Sequence, residues 1–314
     1  RFEVKFKSRE TTPLEHHSVW TVIYVIKWFT MIKKLLLKSV IFIILFVIIS
    51  PSNASNKLKK YVQIQYIMGT LFKIELYCAN KALADKAFNK AFGEIRKYDL
   101  IMSNYKAESE LSKILQPATK NPVKISPELT DIIKTSLDFS EITGGLFDIS
   151  IALLVELWGF KSKNFKRPTD SIINKTKKLV NYRNIVLNPY DNSLFLAQTG
   201  MKLDFGAIGK GYAIDKAANI LKKEGIKSAF IDSVSNQYYL GSPPGASSWQ
   251  VGIKDPRNPN KIIKYLYIKN KSISTSGDYE QFFIENNIRY SHIINPKTGY
   301  PINEANASTI VSEH

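Results

Sequence analysis

From about residue 60 onward, the apolar positions switch repeatedly between a period of two and a period of 3.6 residues. In YVQIQYIMGTLFKIELYC (61–78) the alternation runs on both sides of Met68-Gly69-Thr70, which predicts two strands joined by a tight turn. Ala84, Ala87, Phe88, Ala91, Ile95 and Tyr98 then recur at helical spacing. Ser126-Pro127 caps a second helix carrying Leu129, Ile132, Ile133 and Leu137, and Gly144-Gly145 stops it. NIVLNPYDNSLFLA (184–197) reads as a hairpin around Asn188-Pro189 and Asp191-Asn192, and MKLDF (201–205) as a short strand. A helix follows from Gly211 to Glu224, with Ala213, Ala217, Ile220 and Leu221 on one face. Five more strand-like stretches come after it: SAFIDSV, QYYLG, WQVGI, KYLYIKN and SISTSG. Hairpins mixed with helices, without an internal repeat or a low-complexity linker, predict an α+β fold with mixed or antiparallel sheets and packed helices.

The N-terminus follows a different pattern. From Met31, Lys33, Lys34 and Lys38 form a positive region, Val40 to Ile49 is an uncharged apolar run, and Ser52-Asn53-Ala54 supplies small residues for a peptidase. The run is shorter than the roughly 20 apolar residues of a spanning helix. Residues 31–54 are therefore expected to be a cleaved signal peptide, with an uncleaved membrane anchor as the alternative. No cysteine stands at the end of the run, which excludes a lipoprotein anchor. Residues 1–30 are read as non-native upstream sequence or a fragment boundary, leaving 55–314 as the folded domain.

The chain has 314 residues, 44% hydrophobic, with a net charge of +17. Residues 1–54 carry 8 Lys/Arg against 3 Asp/Glu, so most of the excess lies in the body. A basic body suits an anionic partner: nucleic acid, an anionic membrane surface or a phosphorylated ligand. The charge is scattered, and pairs such as Lys177-Lys178 and Lys222-Lys223 read as solvated helix faces. Cys78 is the only cysteine, so no intrachain disulfide can form, and its place at the end of FKIELYC suits a small buried hydrophobe.

Two segments hold candidate chemistry. In LDFGAIGKGYAID (203–215) a strand-like stretch enters a glycine-rich loop that opens a helix. Backbone N–H groups at such a start can hold a phosphate, and Lys210 adds positive charge. The spacing fits neither G-x-x-x-x-G-K-[ST] nor G-x-G-x-x-G, so a purely structural turn stays open. In YSHIINPKTGYP (290–301), His292 is one of four histidines. Asn295-Pro296-Lys297-Thr298-Gly299 is ordinary turn chemistry, and His292 is either the polar residue of a half-buried strand or a proton-transfer group.

LDFGAIGKGYAID resembles the DLGAIAKGYAVD signature of the FAD:protein FMN transferases, the ApbE family. Other blocks occur in that family's order: MGT at 68–70, MSNYKAESELS at 102–112, GGLFDISIALLVELWGF at 144–160, then WQVGIKDPR, SISTSGDYEQFF and HIINPKTGYP. The resemblance spans roughly residues 60 to 311 and implies a T-fold-related flavin transferase domain.

The implied reaction is phosphoryl transfer. A serine or threonine hydroxyl of an exported acceptor flavoprotein attacks FAD, AMP leaves, and FMN stays attached, with Mg²⁺ as the metal. The resemblance assigns His292 to the reaction centre, Tyr105 and Met68 to the flavin ring, and Leu146, Phe147, Asp148, Asp204, Lys210 and Ile293 to further cofactor contacts. It assigns the Ala207 main-chain carbonyl to Mg²⁺. The implied acceptors are flavin subunits of membrane electron-transfer complexes, and the implied location is the periplasm or the outer face of the cytoplasmic membrane. The chain also departs from the pattern. Ser233-Val234-Ser235-Asn236 stands where many relatives have Gly-Gly-Asn or Gly-Gly-Asp, and Ala152-Leu153 replaces a Gly-Pro. The aspartate and threonine that complete the family's metal site are expected beyond His314, so the chain is expected to be C-terminally truncated and its activity impaired. Three other readings stay open: hydrolysis of FAD to AMP and FMN without an acceptor, a non-catalytic flavin carrier, and a nucleic-acid binder, against which the export signal argues.

Overall fold

A computed structural model describes residues 28, 30–36, 57–258, 260–302 and 307–313. The chain divides into two units, residues 1–56 and 57–314. In the first unit residues 28 and 30–36 are helical, and the rest of the expected leader lies outside the described residues. No helix among the described residues is long and apolar enough to cross a membrane.

The second unit opens with strands β1 (Lys59–Ile67) and β2 (Thr70–Cys78), followed by helices α1 (Lys81–Met102) and α2 (Glu110–Ala118). Next come β3 (Val123–Lys124), α3 (Pro127–Ile142), α4 (Ala152–Leu157), α5 (Asp170–Lys177), β4 (Ile185–Asn188) and β5 (Ser193–Leu196). Helix α6 (Gly209–Lys223) leads into β6 (Ala229–Asp232), β7 (Asn236–Leu240), β8 (Trp249–Lys254) and β9 (Ile262–Ile268). The chain continues with β10 (Lys271–Gly277), β11 (Phe282–Glu285), β12 (Ile288–Ser291) and β13 (Ala307–Ser312). The main sheet has the order β1-β2-β6-β7-β10-β13, with every neighbouring pair antiparallel. The fold is thus α+β, with the small sheet β3-β5-β4 and the hairpins β8-β9 and β11-β12 attached.

Alternation along β2 sends Phe72, Ile74 and Leu76 into the core, each fully buried and worth roughly 1.5–3 kcal/mol of apolar burial. Helices α1 and α6 pack on each other and on the sheet. Ala84, Ala87 and Ala91 of α1 and Ala213 and Ala217 of α6 are fully buried, and these small residues allow the two helices to approach closely. On the opposite face a second cluster joins Tyr239 and Ile273 to Trp249 and Ile268 of the β8-β9 hairpin. Cys78 is a buried free thiol, as its position in the alternation suggests.

Three local expectations change. Residues 201–205 form no strand; Met201, Leu203 and Phe205 are buried in an irregular segment, which accounts for the alternation. The helix of the glycine-rich loop begins at Gly209 rather than Gly211, because the turn at residues 206–208 winds directly into it through a Gly209 N–H bond to the Phe205 carbonyl at 2.6 Å. Helices α2, α4 and α5 and the β11-β12 hairpin are further elements, of which α2 has its apolar residues Leu111, Ile114, Leu115 and Ala118 at helical spacing.

Candidate active site

The site grows from the loops around the start of α6. Met68 and Gly69 have φ of 52° and 74°, the two left-handed residues of a tight hairpin turn. This turn delivers the Met68 side chain to Gly209: a β-carbon added there would lie 3.5 Å from Met68 Cε and 3.4 Å from Met102 Cε. Buried Asp99 fixes the approach, its Oδ2 accepting the Met68 N–H at 3.4 Å and the Lys106 ammonium at 2.7 Å.

Beyond α1, Ser103 Oγ accepts the N–H groups of Tyr105 and Lys106, both at 3.2 Å, which folds the Ser-Asn-Tyr segment into a turn. Asn104 Nδ2 donates to Asp204 Oδ2 at 2.9 Å, while Asp204 Oδ1 accepts the Gly206 N–H at 2.6 Å. Asp204 therefore ties the tyrosine loop to the glycine-rich turn. Tyr105 itself is 67% exposed, with one face backed by Lys161 Nζ at 5.0 Å from the ring centroid. The same ammonium donates to the Asn104 carbonyl and to Glu156, both at 3.0 Å. Desolvation, then the Asp204 and Glu156 carboxylates, holds the Tyr105 phenol above its ordinary pKa.

The Phe-Asp block joins the site through its backbone, where the Asp204 N–H bonds the Ile149 carbonyl at 2.7 Å. Leu146 is exposed, and Phe147 meets Phe139 edge-on at 6.3 Å. Asp148 is buried, and it accepts Ser150 N–H at 2.8 Å, Ser150 Oγ–H at 2.6 Å and Tyr182 N–H at 2.9 Å. Burial pushes its carboxyl above the usual carboxylate range, against those three bonds. The carboxylate thus caps the turn Ile149–Ile151 from inside the protein, leaving Leu146 and Phe147 as the surface of this block.

His292 follows β12 directly. Its N–H and its Nδ1 both meet the Gln281 carbonyl, at 3.0 and 3.1 Å. A carbonyl oxygen accepts and cannot donate, so Nδ1 carries a proton towards Gln281, and Nε2 is the ring nitrogen that this contact leaves over. The Phe160 ring stands edge-on to the imidazole at 6.5 Å, and Gln281 Nε2 donates to the Phe160 carbonyl at 3.4 Å. Fully buried Trp158 donates its indole N–H to the Gly299 carbonyl at 2.9 Å, joining the Trp-Gly-Phe block to the Pro-Lys-Thr-Gly turn. Asn295 Oδ1 accepts the N–H groups of Lys297 and Thr298, so the turn chemistry is real as well. Ile293 is half-buried, its carbonyl accepting the Ile302 N–H at 2.9 Å.

The expected residues thus fall into two groups. Met68, Tyr105, Asp204, the Phe-Asp block and the start of α6 form one group, linked through Asp99, Asn104 and the Ile149 carbonyl, and His292 with Ile293 forms the other. Among the described residues no hydrogen bond joins His292 to that group; the connection runs through Phe160 and its neighbour Lys161 to Asn104. Asn104, Lys161 and Gln281 are structural parts of the site that motif reading passed over.

The ApbE family model matches residues 68–314. The chain belongs to the ApbE family. It is 30% identical over 261 residues to a FAD:protein FMN transferase of Klebsiella pneumoniae (strain 342), covering 82% of this chain and 79% of the relative. A second FAD:protein FMN transferase, from Treponema pallidum, is 28% identical over 260 residues, 78% of this chain and 72% of the relative. Among solved structures, the ApbE protein of Thermotoga maritima superposes with a TM-score of 0.75 at 29% identity, covering 81% of this chain and 82% of that one. The flavin transferase ApbE of Vibrio cholerae gives a TM-score of 0.70 at 25% identity, with 82% of each chain covered. Membership makes the chain a flavin transferase of the ApbE type.

The metal expected for this ApbE-family site fits less well. Ala207 lies exposed in the turn before α6, where its carbonyl offers one oxygen of the kind Mg²⁺ takes. Asp204 is engaged by Gly206 and Asn104, and buried Asp278 is paired with Arg257 at 3.3 Å and Arg289 at 3.7 Å. Among the described residues no three His, Cys, Asp or Glu side chains are grouped to hold a metal. Those residues do not by themselves fit a Mg²⁺ site.

Proposed function

We propose that this chain transfers FMN from FAD to a serine or threonine hydroxyl of an exported acceptor flavoprotein. The observation that carries the reading is the 3.1 Å contact of His292 Nδ1 with the Gln281 carbonyl, which leaves Nε2 as the ring nitrogen to serve as the base. In the reaction the acceptor hydroxyl oxygen bonds to the phosphorus on the riboflavin side of the pyrophosphate. The bond from that phosphorus to the bridging oxygen breaks, and AMP departs with that oxygen. The hydroxyl proton goes to His292 Nε2. Tyr105 offers an exposed ring face to the isoalloxazine, and Met68 a polarisable side chain beside it. Lys210 brings positive charge to the phosphates. Magnesium belongs to this reading as the usual companion of a pyrophosphate, whose charge it would neutralise when bound.

The leader pattern from Met31 extends the proposal to location: the mature protein starts after Ala54 and works outside the cytoplasmic membrane, where its acceptors would be flavin subunits of electron-transfer complexes. N-terminal sequencing of the exported protein checks this, and recovery only from cytosol with the leader intact would refute it. The activity is tested by incubating the protein with FAD, Mg²⁺ and a candidate acceptor, then running a denaturing gel. Flavin fluorescence that stays with the acceptor supports transfer. AMP and free FMN appearing equally without acceptor would instead make the chain a FAD pyrophosphatase.

A further inference from the structure

Lys210 does not stand alone at the start of α6. Its Nζ donates to Ser235 Oγ at 3.2 Å, and Asn236 Nδ2 donates to the same oxygen at 3.1 Å. Asn236 is fixed from its other end, its Oδ1 accepting Ser274 Oγ–H at 2.9 Å from β10. A hydroxyl has two lone pairs and one proton. With a donor on each lone pair, the Ser235 proton is the hydrogen-bonding function these partners leave over, and Ser235 is half-buried, so that proton can meet a ligand.

The backbone that presents this hydroxyl is constrained on every side. Val234, just before it, has φ of 71°, a conformation that β-branched residues rarely adopt. The Val234 N–H bonds Asp232 Oδ1 at 2.9 Å, the Ser233 N–H and Oγ–H bond the Asn236 carbonyl at 2.9 and 3.2 Å, and the Thr275 N–H bonds the Ser235 carbonyl at 2.8 Å. A strained residue persists only where surrounding bonds over-determine it, and such places concentrate at ligand clamps. The clamp here closes on the first turn of α6: a β-carbon on Gly211 would lie 3.6 Å from Asn236 Oδ1.

We propose that Ser235 is a specificity-determining contact for the pyrophosphate of the dinucleotide donor. Its O–H works beside the two N–H groups that Lys210 retains once one of its three is directed at Ser235. Lys210 alone is a mobile point charge. Held by Ser235, it becomes one half of a two-residue grip that rewards phosphate oxygens and ignores the flavin ring. This rests on the reading that FAD is the donor and that Lys210 faces its phosphates.

The test is fluorescence titration of the full chain with FAD and with riboflavin, which has the ring and no phosphate. Wild type is compared with Ser235→Ala, Ser235→Thr and Lys210→Met, with thermal unfolding of each as a control. Ser235→Ala should lose FAD affinity on the order of tenfold, the scale of a hydrogen bond to a charged group, with riboflavin affinity unchanged. Ser235→Thr, which keeps a hydroxyl, should recover most of the loss. A Ser235→Ala protein that binds FAD like wild type, while Lys210→Met loses it, would overturn the role of Ser235 and leave the donor reading intact. Equal losses for FAD and riboflavin would likewise reduce Ser235 to a structural part. A wild-type protein with no preference for FAD over riboflavin would overturn the phosphate placement of Lys210, and Ser235 with it.

Discussion

Replacing His292 with asparagine separates chemistry from architecture. The Gln281 carbonyl accepts two bonds from residue 292, one from the main-chain N–H at 3.0 Å and one from Nδ1 at 3.1 Å. The main-chain bond survives substitution by asparagine, so the carbonyl is not orphaned. An asparagine amide nitrogen can take the place of Nδ1 and keep the second bond too. Stability should therefore change by no more than about 1 kcal/mol, the net worth of one hydrogen bond. Nothing replaces the basic Nε2. Loss of a general base slows the chemical step by roughly 10²–10⁴-fold, which corresponds to about 2.7–5.4 kcal/mol on the barrier. A group that accepts a proton only as the reaction proceeds acts on the transition state, so FAD affinity should hold. Urea denaturation, FAD fluorescence titration and single-turnover AMP release measure the three quantities on one preparation. A His292→Asn protein that folds, binds FAD and transfers within about tenfold of wild type would refute the base assignment.

Tyr105→Ala should weaken FAD binding by roughly 1–3 kcal/mol, by analogy with base stacking on aromatic side chains, and unchanged affinity in a fluorescence titration would reject the ring's placement. Trp158→Phe removes the indole donor from the buried Gly299 carbonyl and leaves a small void, so denaturant unfolding should show a loss of about 2–4 kcal/mol; a loss under about 0.5 kcal/mol would mean that this bond does not hold the two motifs together. Val234→Gly relieves a left-handed residue worth about 1–2 kcal/mol against glycine's own entropy of about 0.5–1 kcal/mol, for a net gain of up to about 1.5 kcal/mol in denaturant unfolding. A destabilised glycine variant would show that Val234 is not strained.

Hydrophobic pattern revealed the long elements because those carry both period and punctuation. The β1-β2 hairpin alternates on both sides of Gly69, and α3 begins at a capping Ser126 and is followed by Gly144 and Gly145 with φ of 58° and 81°. Helices α4 and α5 have only 6 and 8 residues, too few turns for a face to repeat. Helix α2 does carry Leu111, Ile114, Leu115 and Ala118 at i, i+3, i+4 and i+7 behind a capping Ser109, a helical signal short enough to be passed over inside the Ser-Glu-Leu-Ser motif. The β11-β12 hairpin did carry a local signal. Asn286 and Asn287 take φ of 51° and 61°, as a two-residue hairpin turn requires, and asparagine is the residue that tolerates it. MKLDF misled because burial of alternate residues needs no ladder: Met201, Leu203 and Phe205 are buried without one. In the site, motif order named the participants, whereas their partners are set by long-range packing. Asn104 meets Asp204 and Lys161 meets the Asn104 carbonyl across 100 and 57 residues of chain. That His292 is oriented by a main-chain carbonyl has no side-chain signature at all, and the inward turn of Asp148 shows only once Tyr182 is in place.

The central claim is that a protein hydroxyl, and not water, receives the FMN. Incubating the protein with FAD, Mg²⁺ and an acceptor flavin subunit, then weighing the acceptor by intact mass spectrometry while AMP is counted by chromatography, tests it directly. The account predicts an acceptor heavier by one phosphoester-linked FMN, with one AMP released per FMN attached, and loss of both when the acceptor's serine or threonine is replaced by alanine. AMP release that continues undiminished with the alanine acceptor, with FMN recovered free in solution, would contradict it.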